Sequence, residues 1–281
     1  MDFEKIFFEL DDYTLTNNCL GRGSYGSVYV AEKRSDKTEY AAKIVTPQAP
    51  MKSRDQKQIM RECMLMQSLK HPAIVKFYGM SFNSFKNRSS LEPTILMEYL
   101  SNGSLEDILE QEKKSNADHN WTTAKKYICL LGVAHAMNYL HEKDIIHRDL
   151  KPGNVLVDCN FRPRVSDFGL SRCFKDSIDG SEDVSKTAGI GTPKYMAPEL
   201  LECYTNYDKS VDVYAYGIMT YEILTGLEPF VKRGETLTHS IILDSIRRHQ
   251  QLNFTEDVTP QMRRLINSCI DHNPEDRPTF G

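Results

Sequence analysis

Two periods of apolar and polar residues run along this chain, and the change from one to the other falls near residue 100. Residues 13 to 100 read as short strands with one helix among them. The stretches "YTLTNNCLGRGSYGSVYVAE" and "TEYAAKIVT" are strand candidates, the first broken by a glycine turn, and "IVKFYGMSF" and "PTILMEYL" are two more. Within "DQKQIMRECMLMQSL", Ile59, Glu62, Cys63 and Met66 fall at i, i+3, i+4 and i+7, which is one face of a helix. "FNSFKNRSSLE" reads as a polar loop. After "SNGSLEDIL" the pattern turns helical. "TTAKKYICLLGVAHAMNYLHEK" is a long helix, and "SVDVYAYGIMTYEILTG" is apolar nearly all round, which places it at a centre. No internal repeat or low-complexity tract interrupts this plan. The pattern predicts an α+β chain with a small strand-rich lobe followed by a larger helical one.

Composition narrows the function. The 281 residues suffice for one large domain or two lobes. Lys+Arg total 35 against Asp+Glu 39, a net charge of −4, so there is no basic field and no support for nucleic-acid binding. Acidic residues inside "MDFEKIFFELDDYT" argue against a secretory signal. The most apolar long stretch, Val211 to Leu227, contains Asp212 and Glu222, so no membrane span is expected. Seven scattered cysteines, an odd number without a C-x-x-C pair, read as reduced thiols of a cytoplasmic protein.

Four stretches carry candidate chemistry. Gly21, Gly23 and Gly26 with Val28 form G-x-G-x-x-G-x-V, in which glycines let a backbone approach phosphate oxygens closely. A glycine-rich hairpin would account for the motif alone. It runs on into the strand "SVYVAE", which disfavours a dinucleotide fold, where a helix follows. Lys43 ends the strand "YAAK", and Glu62 sits on the apolar face of the next helix, where a lone carboxylate is costly. An ion pair between Lys43 and Glu62 relieves that cost and fixes a cation beside the phosphates. Asp167 follows the strand-like "RPRVS", a position where an acid commonly holds a metal. Asn154 lies one apolar strand pair away, and a magnesium ion takes one or two such side chains plus phosphate oxygens. The fourth stretch, "IIHRDLKPGN", is either a solvated loop or a place where Asp149, Lys151 and Asn154 converge on one reacting group.

In this order and spacing, the four motifs resemble the eukaryotic protein kinase family, from about Leu20 to Phe280. The resemblance implies a bilobal fold over residues 13–281, with an N-lobe at 13–97, a hinge at 98–103, a C-lobe at 104–281 and residues 1–12 as an N-terminal extension. It implies that Gly21, Gly23 and Gly26 cover the phosphates of ATP, with Leu20 and Val28 at the same nucleotide site. Ala41 and Leu156 complete the adenine slot, Met97 is the gatekeeper, and Glu98 to Leu100 form the hinge whose backbone bonds the adenine. Lys43 binds the α- and β-phosphates and pairs with Glu62. Asp149 takes or orients the proton of the attacking hydroxyl, Lys151 steadies the γ-phosphate, and Asn154 and Asp167 hold Mg²⁺. His147, Phe168, Met66 and Phe77 resemble the family's apolar spine, so His147 is read as packed. Asp212 resembles the acid that anchors the catalytic loop, and Glu199 and Arg277 its buried ion pair.

Lys151, two residues after Asp149, and Thr192 in "GTPKYMAPE" resemble serine/threonine kinases, while "NGSLEDIL", "DFGLSR" and "RPTF" resemble the tyrosine-kinase-like group. The reading is a serine/threonine protein kinase of that group, using ATP and magnesium on protein substrates. The alternatives are a dual-specificity kinase and a silent pseudokinase scaffold, the latter disfavoured because Lys43, Glu62, Asp149, Asn154 and Asp167 are all present. Arg148 resembles the arginine that pairs with a phosphorylated activation-loop residue. Ser185 or Thr187 is the expected position, modified by an upstream kinase or by autophosphorylation, with local capping as the plain account of Arg148. The chain stops at Gly281, where the family continues into a final helix, so exposed apolar surface is expected on the large lobe.

Overall fold

The computed structural model describes residues 6–23, 26–45, 53–83, 85, 91–167, 172–173, 193–202, 207–231, 238–248 and 250–281. They form two compact units, the first ending at Gly103 and the second beginning at Ser104.

The first unit is built on five antiparallel strands: β1 Tyr13–Gly23, β2 Gly26–Lys33, β3 Glu39–Val45, β4 Phe77–Asn83 and β5 Leu91–Glu98, in the order β1-β2-β3-β5-β4. Residues directly opposed across an antiparallel pair share a face. Val28 opposes Lys43, which opposes Ile95, while Val30 opposes Ala41, which opposes Met97. These six residues therefore line one face. The other face carries Ala31, Ala42 and Leu96, fully buried beneath Phe8, Tyr13, Leu15, Tyr40 and Phe85. With both faces covered, β3 reads as a continuous apolar run, because both Ala41 and Ala42 must be buried. Helix α1, Ser53–Ser68, packs on β4 and buries Cys63 and Met66.

The N-terminal extension belongs to this unit, which the sequence pattern does not indicate. Phe7 makes a parallel bridge to Met80, and the Phe8 N–H donates to the Met80 carbonyl at 3.1 Å. Ile6 is 1% exposed, one of the large side chains that the fold buries completely. Gly79 provides the seat, since a Cβ there would stand 3.0 Å from the Ile6 carbonyl oxygen and 3.3 Å from the Phe8 ring. Edge-to-face contacts then run from Phe8 to Tyr13 at 5.3 Å, to Tyr40 at 5.5 Å and to Tyr78 at 4.9 Å. Each such pair adds about 0.5–1.5 kcal/mol beyond its burial.

The second unit is mostly helical: α2 Leu105–Lys113, α3 Thr123–Glu142, α4 Pro198–Leu201, α5 Ser210–Thr225, α6 His239–Arg247 and α7 Pro260–Cys269. Helix α5 is its axis, buried without a break from Val211 to Ile223 and ended by Gly226 at φ 66°. Helices α3 and α7 pack against it, and the Tyr216 hydroxyl donates to the Leu130 carbonyl at 3.1 Å. Helices α6 and α7 lie in segments that the sequence pattern leaves unassigned, being short and apolar on one side only. Two small antiparallel pairs complete the unit: β6 Ile145–Ile146 with β9 Arg172–Cys173, and β7 Val155–Val157 with β8 Pro163–Val165. Arg277 is buried and grips Glu199 with two bonds, of 2.7 and 2.9 Å, the ion pair expected from sequence. The large unit also exposes apolar surface on α3, where Ile128 and Leu131 are 48% and 60% accessible.

Candidate active site

In the first unit, Val28, Ala41, Lys43 and Met97 share one face of the sheet because the register demands it. The three loop glycines divide by cause. Gly26 has φ 143°, and a Cβ there would stand 2.0 Å from the Ile44 carbonyl oxygen, so the hairpin itself requires glycine. Gly21 is different: a Cβ there would meet nothing within 4 Å. Among the described residues nothing stands close enough to require a glycine at 21. Gly23 pairs with Gly26 in the register, while Leu20 lies at a β1 irregularity and is 43% exposed.

Burial holds the Cys63 thiol up at about 12, with the Glu62 carboxylate pushing it higher and the Lys43 ammonium pulling it down. One buried sulfur thus feels both charges. The Glu98 carboxylate takes the Lys76 N–H at 2.7 Å, and its own N–H donates to the Lys76 carbonyl at 2.9 Å. That side chain is spent on the fold, and the Leu100 carbonyl accepts from the Gly103 N–H at 3.2 Å.

In the second unit the loop after β6 is held by one buried acid. Asp212, 1% exposed, accepts from the His147 N–H at 2.9 Å, the Arg148 N–H at 2.8 Å and His141 Nε2 at 2.8 Å. Three donors satisfy a carboxylate that would be expensive to bury alone. They also hold Arg148 at φ 69°, an uncommon conformation for a side chain of that size, which turns the chain toward Asp149. His147 is fully buried, with Nε2 on the Ser166 carbonyl at 3.0 Å and Nδ1 accepting from the Asp149 N–H at 3.3 Å. That pattern assigns the Nε2–H tautomer and a packed, structural histidine. The Arg148 guanidinium stands 4.9 Å from the Tyr207 ring centre.

Asp149, Lys151 and Asn154 come together. Lys151 Nζ lies 3.0 Å from Asp149 Oδ2, and Asn154 Nδ2 donates to the same oxygen at 2.8 Å and to the Asp149 carbonyl at 2.7 Å. Oδ2 is thereby fixed twice, and among the described residues Asp149 Oδ1 carries no bond. Both donors of the Asn154 amide are used on Asp149. The Asn154 carbonyl takes two bonds from Ser166, from N at 2.8 Å and from Oγ at 3.0 Å, bringing Asp167 next to it in the fold. Asp167 itself sits at φ 60°. Leu156 lies on β7 opposite Arg164 and bridges Ser104. Phe168, Ser185, Thr187 and Thr192, named from sequence, lie outside the described residues.

A lattice of charges that the sequence pattern does not reveal joins α2, α5 and the segment Pro193–Tyr195. Lys194 reaches Glu222 at 3.0 Å and Glu228 at 3.1 Å, and Lys113 reaches the same two acids at 3.3 and 3.1 Å. The Tyr195 hydroxyl donates to the other Glu222 oxygen at 2.5 Å, and burial with Glu222 pushes that phenol well above its ordinary value.

Among the described residues no group of three or more His, Cys, Asp and Glu side chains forms a metal cage. A magnesium ion needs none, since it takes one or two protein oxygens and completes its shell with phosphate and water. Asn154 Oδ1 and the Asp167 carboxylate have the chemistry for that demand.

Residues 15–281 match the protein kinase domain family. An Aurora kinase of Saccharomyces cerevisiae is 33% identical over 97% of this chain and 67% of its own length. The serine/threonine-protein kinase CTR1 of Arabidopsis thaliana is 34% identical over 93% of this chain and 30% of its own. The dual specificity protein kinase shkD of Dictyostelium discoideum is 32% identical over 93% and 32%. This chain therefore spans about a third of the last two and two thirds of the first. A match over nearly all of the chain, together with the Asp149–Lys151–Asn154 cluster, makes this chain a member of the protein kinase domain family.

Proposed function

We propose that this domain transfers the γ-phosphate of ATP to serine or threonine hydroxyls of protein substrates. The observation that carries the reading is the Asp149 carboxylate, one oxygen fixed by Lys151 and Asn154 and the other without a bond among the described residues. That other oxygen, Oδ1, accepts the proton of the incoming hydroxyl and aims its oxygen. Lys151 then serves the charge that spreads over the transferring phosphoryl group, a transition state that needs positioning and fixed positive charge more than covalent help. Gly21, Gly23 and Gly26 take the phosphates from the first unit, with Lys43 on the α- and β-phosphates, Glu62 orienting Lys43, and Leu20, Val28, Ala41, Met97 and Leu156 around the adenine. The backbone of Glu98 and Leu100 supplies its hydrogen bonds. Magnesium held by Asn154 and Asp167 would neutralise phosphate oxygens as charge develops.

Control through the segment 170–194, with Arg148 receiving a phosphate on Ser185 or Thr187, belongs to the same proposal; intact-mass mapping of active enzyme without that modification would remove it. The free thiols of Cys19, Cys63, Cys129, Cys159 and Cys269 support a reducing, cytoplasmic setting. A second reading, transfer to tyrosine as well, is favoured by the name of the Dictyostelium relative. Transfer from labelled ATP by the wild-type chain and Asp149→Ala, followed by phospho-amino-acid analysis, tests both. The variant should lose at least about 10²-fold. Equal label in the two proteins would remove the catalytic assignment, and phosphotyrosine would establish dual specificity.

A further inference from the structure

A cavity of about 280 Å³ lies within the second unit, and none of the residues placed in the candidate active site lines it. Helices α4, α5, α6 and α7 all contribute to its wall. Two hydroxyls distinguish it from a packing gap. Tyr214 is 2% exposed and Ser245 is 3% exposed, and both line the cavity. Neither side-chain oxygen makes a hydrogen bond among the described residues, and neither is one of the polar atoms sealed from solvent. Each therefore opens into the cavity. Buried hydroxyls are ordinarily bonded, so two left without partners on one wall mark a place for polar atoms from outside. The Tyr214 ring is held there by Arg277, whose guanidinium stands 5.1 Å from the ring centre and is itself locked onto Glu199.

Pro198, Phe230, Ile246 and Ile270 supply apolar wall. Phe230 does so from φ 66°, a conformation that bulky residues rarely adopt. Water is the plain filling for such a space. It would bond the two oxygens but leave those four side chains wet, whereas a guest with both kinds of surface serves the whole wall. Charge then decides the class. Among the described residues no lysine or arginine lines the cavity, so an anion finds no partner. Asp271 is the one carboxylate among them, and its Oδ1 already accepts from the Asn273 N–H at 3.0 Å. Size sets the rest. An apolar cavity of about 150 Å³ takes one benzene ring, so this one takes about two.

We propose that this cavity is a binding site for an uncharged two-ring aromatic compound with hydrogen-bonding atoms on its edge, which Tyr214 and Ser245 orient. The site is separate from Asp149, so it stands whether or not the domain transfers phosphate. A guest in it touches Pro198, next to Glu199, and Tyr214, against Arg277, so binding adds to the stability of the second unit.

The probe is 5-hydroxyindole, titrated by calorimetry into the intact chain with a saturating non-hydrolysable ATP analogue and Mg²⁺ present. Beside it run 1-methylindole, of similar shape but without a donor, and indole-5-carboxylate. Tyr214→Phe and Ser245→Ala each remove one oxygen and should each weaken 5-hydroxyindole by about fivefold, the scale of one hydrogen bond, with 1-methylindole unchanged. Asn267→Trp, at an exposed position on the rim, should fill the mouth and abolish binding of both. Thermal melts without probe show that each variant is folded, and with probe the wild type should melt higher. Binding of 5-hydroxyindole that all three variants leave unchanged overturns the proposal, as does no binding up to its solubility limit. Tighter binding of indole-5-carboxylate than of 5-hydroxyindole overturns it as well. A chain that binds the probe in this pattern without transferring phosphate supports the inference and removes only the kinase reading.

Discussion

Asn154 holds Asp149 twice, its amide donating to the backbone carbonyl at 2.7 Å and to the carboxylate at 2.8 Å. The bond to the carboxylate aims the proposed proton acceptor, and the amide oxygen is the proposed magnesium ligand. Asn154→Ala removes both functions and should lower kcat by about 10²–10³-fold, the scale of one lost preorganised group. Asn154→Asp places two carboxylates within hydrogen-bond distance, so one of them keeps a proton at low pH and repulsion grows as that proton leaves. Its residual activity should fall more steeply with rising pH than that of wild type, measured as a pH–kcat profile of both.

Asp212 accepts three hydrogen bonds from within the fold, two of them from the backbone that leads to Asp149. Asp212→Asn presents an NH₂ to those donors and leaves at least one buried N–H unsatisfied, at about 1–3 kcal/mol each. The unfolding free energy from urea melts should drop by that amount, and kcat should drop with it, because the φ 69° turn at Arg148 loses its restraint. Unchanged kcat in a destabilised variant would show that the turn holds by other means.

Glu199 and Arg277 are both buried, and the arginine also donates to the carbonyls of Asp271, Ser210 and His272. Removing one partner strands the other charge, which costs about 3–5 kcal/mol. Arg277→Ala should be the more damaging because three carbonyls lose a donor as well. Thermal melts should rank wild type above Glu199→Ala and Glu199→Ala above Arg277→Ala.

Burial raises the thiols of Cys63, Cys129 and Cys269 to about 12 from an ordinary 9.0. A pKa raised in the folded state means that the unfolded chain gives up these protons first. The stability they confer is full below about pH 9 and is lost as pH climbs beyond it, at about 1.4 kcal/mol per pH unit for each thiol. Chemical melts between pH 8 and 11 should show that decline. Alkylation at pH 8 followed by peptide mass mapping should label the exposed Cys19 and Cys159 first, and the three buried cysteines slower by about 10³-fold.

Legibility in the sequence followed the range of each interaction. Helix α5 announces itself because a stretch apolar on every side can only be central, and the face shared by Val28, Ala41, Lys43 and Met97 follows from the two-residue period of strands. The crowd from Asp149 to Asn154 is visible because its members are neighbours in the chain. What escaped depends on residues far apart. Lys113 and Glu222 meet across 109 positions of chain. Glu106 lies beside Gly153 for a reason that no local period encodes. Ile6 to Phe8 make no repeating pattern, and their seat is the missing side chain of Gly79. The stacking of Arg148 on Tyr207 is hidden for the same reason.

The seating of Ile6 to Phe8 along Met80 also changes where the protein can be cut. β4 is the outermost strand of its sheet, and the bridge from Phe7 occupies part of its free side. The family match begins at residue 15, so a fragment trimmed to that match would keep the strand and discard its cover. An uncovered edge offers its N–H and C=O groups to any other chain, the common origin of sheet-to-sheet aggregation. Recombinant fragments should start before Ile6, and those starting at Tyr13 should be recovered in oligomeric or insoluble form.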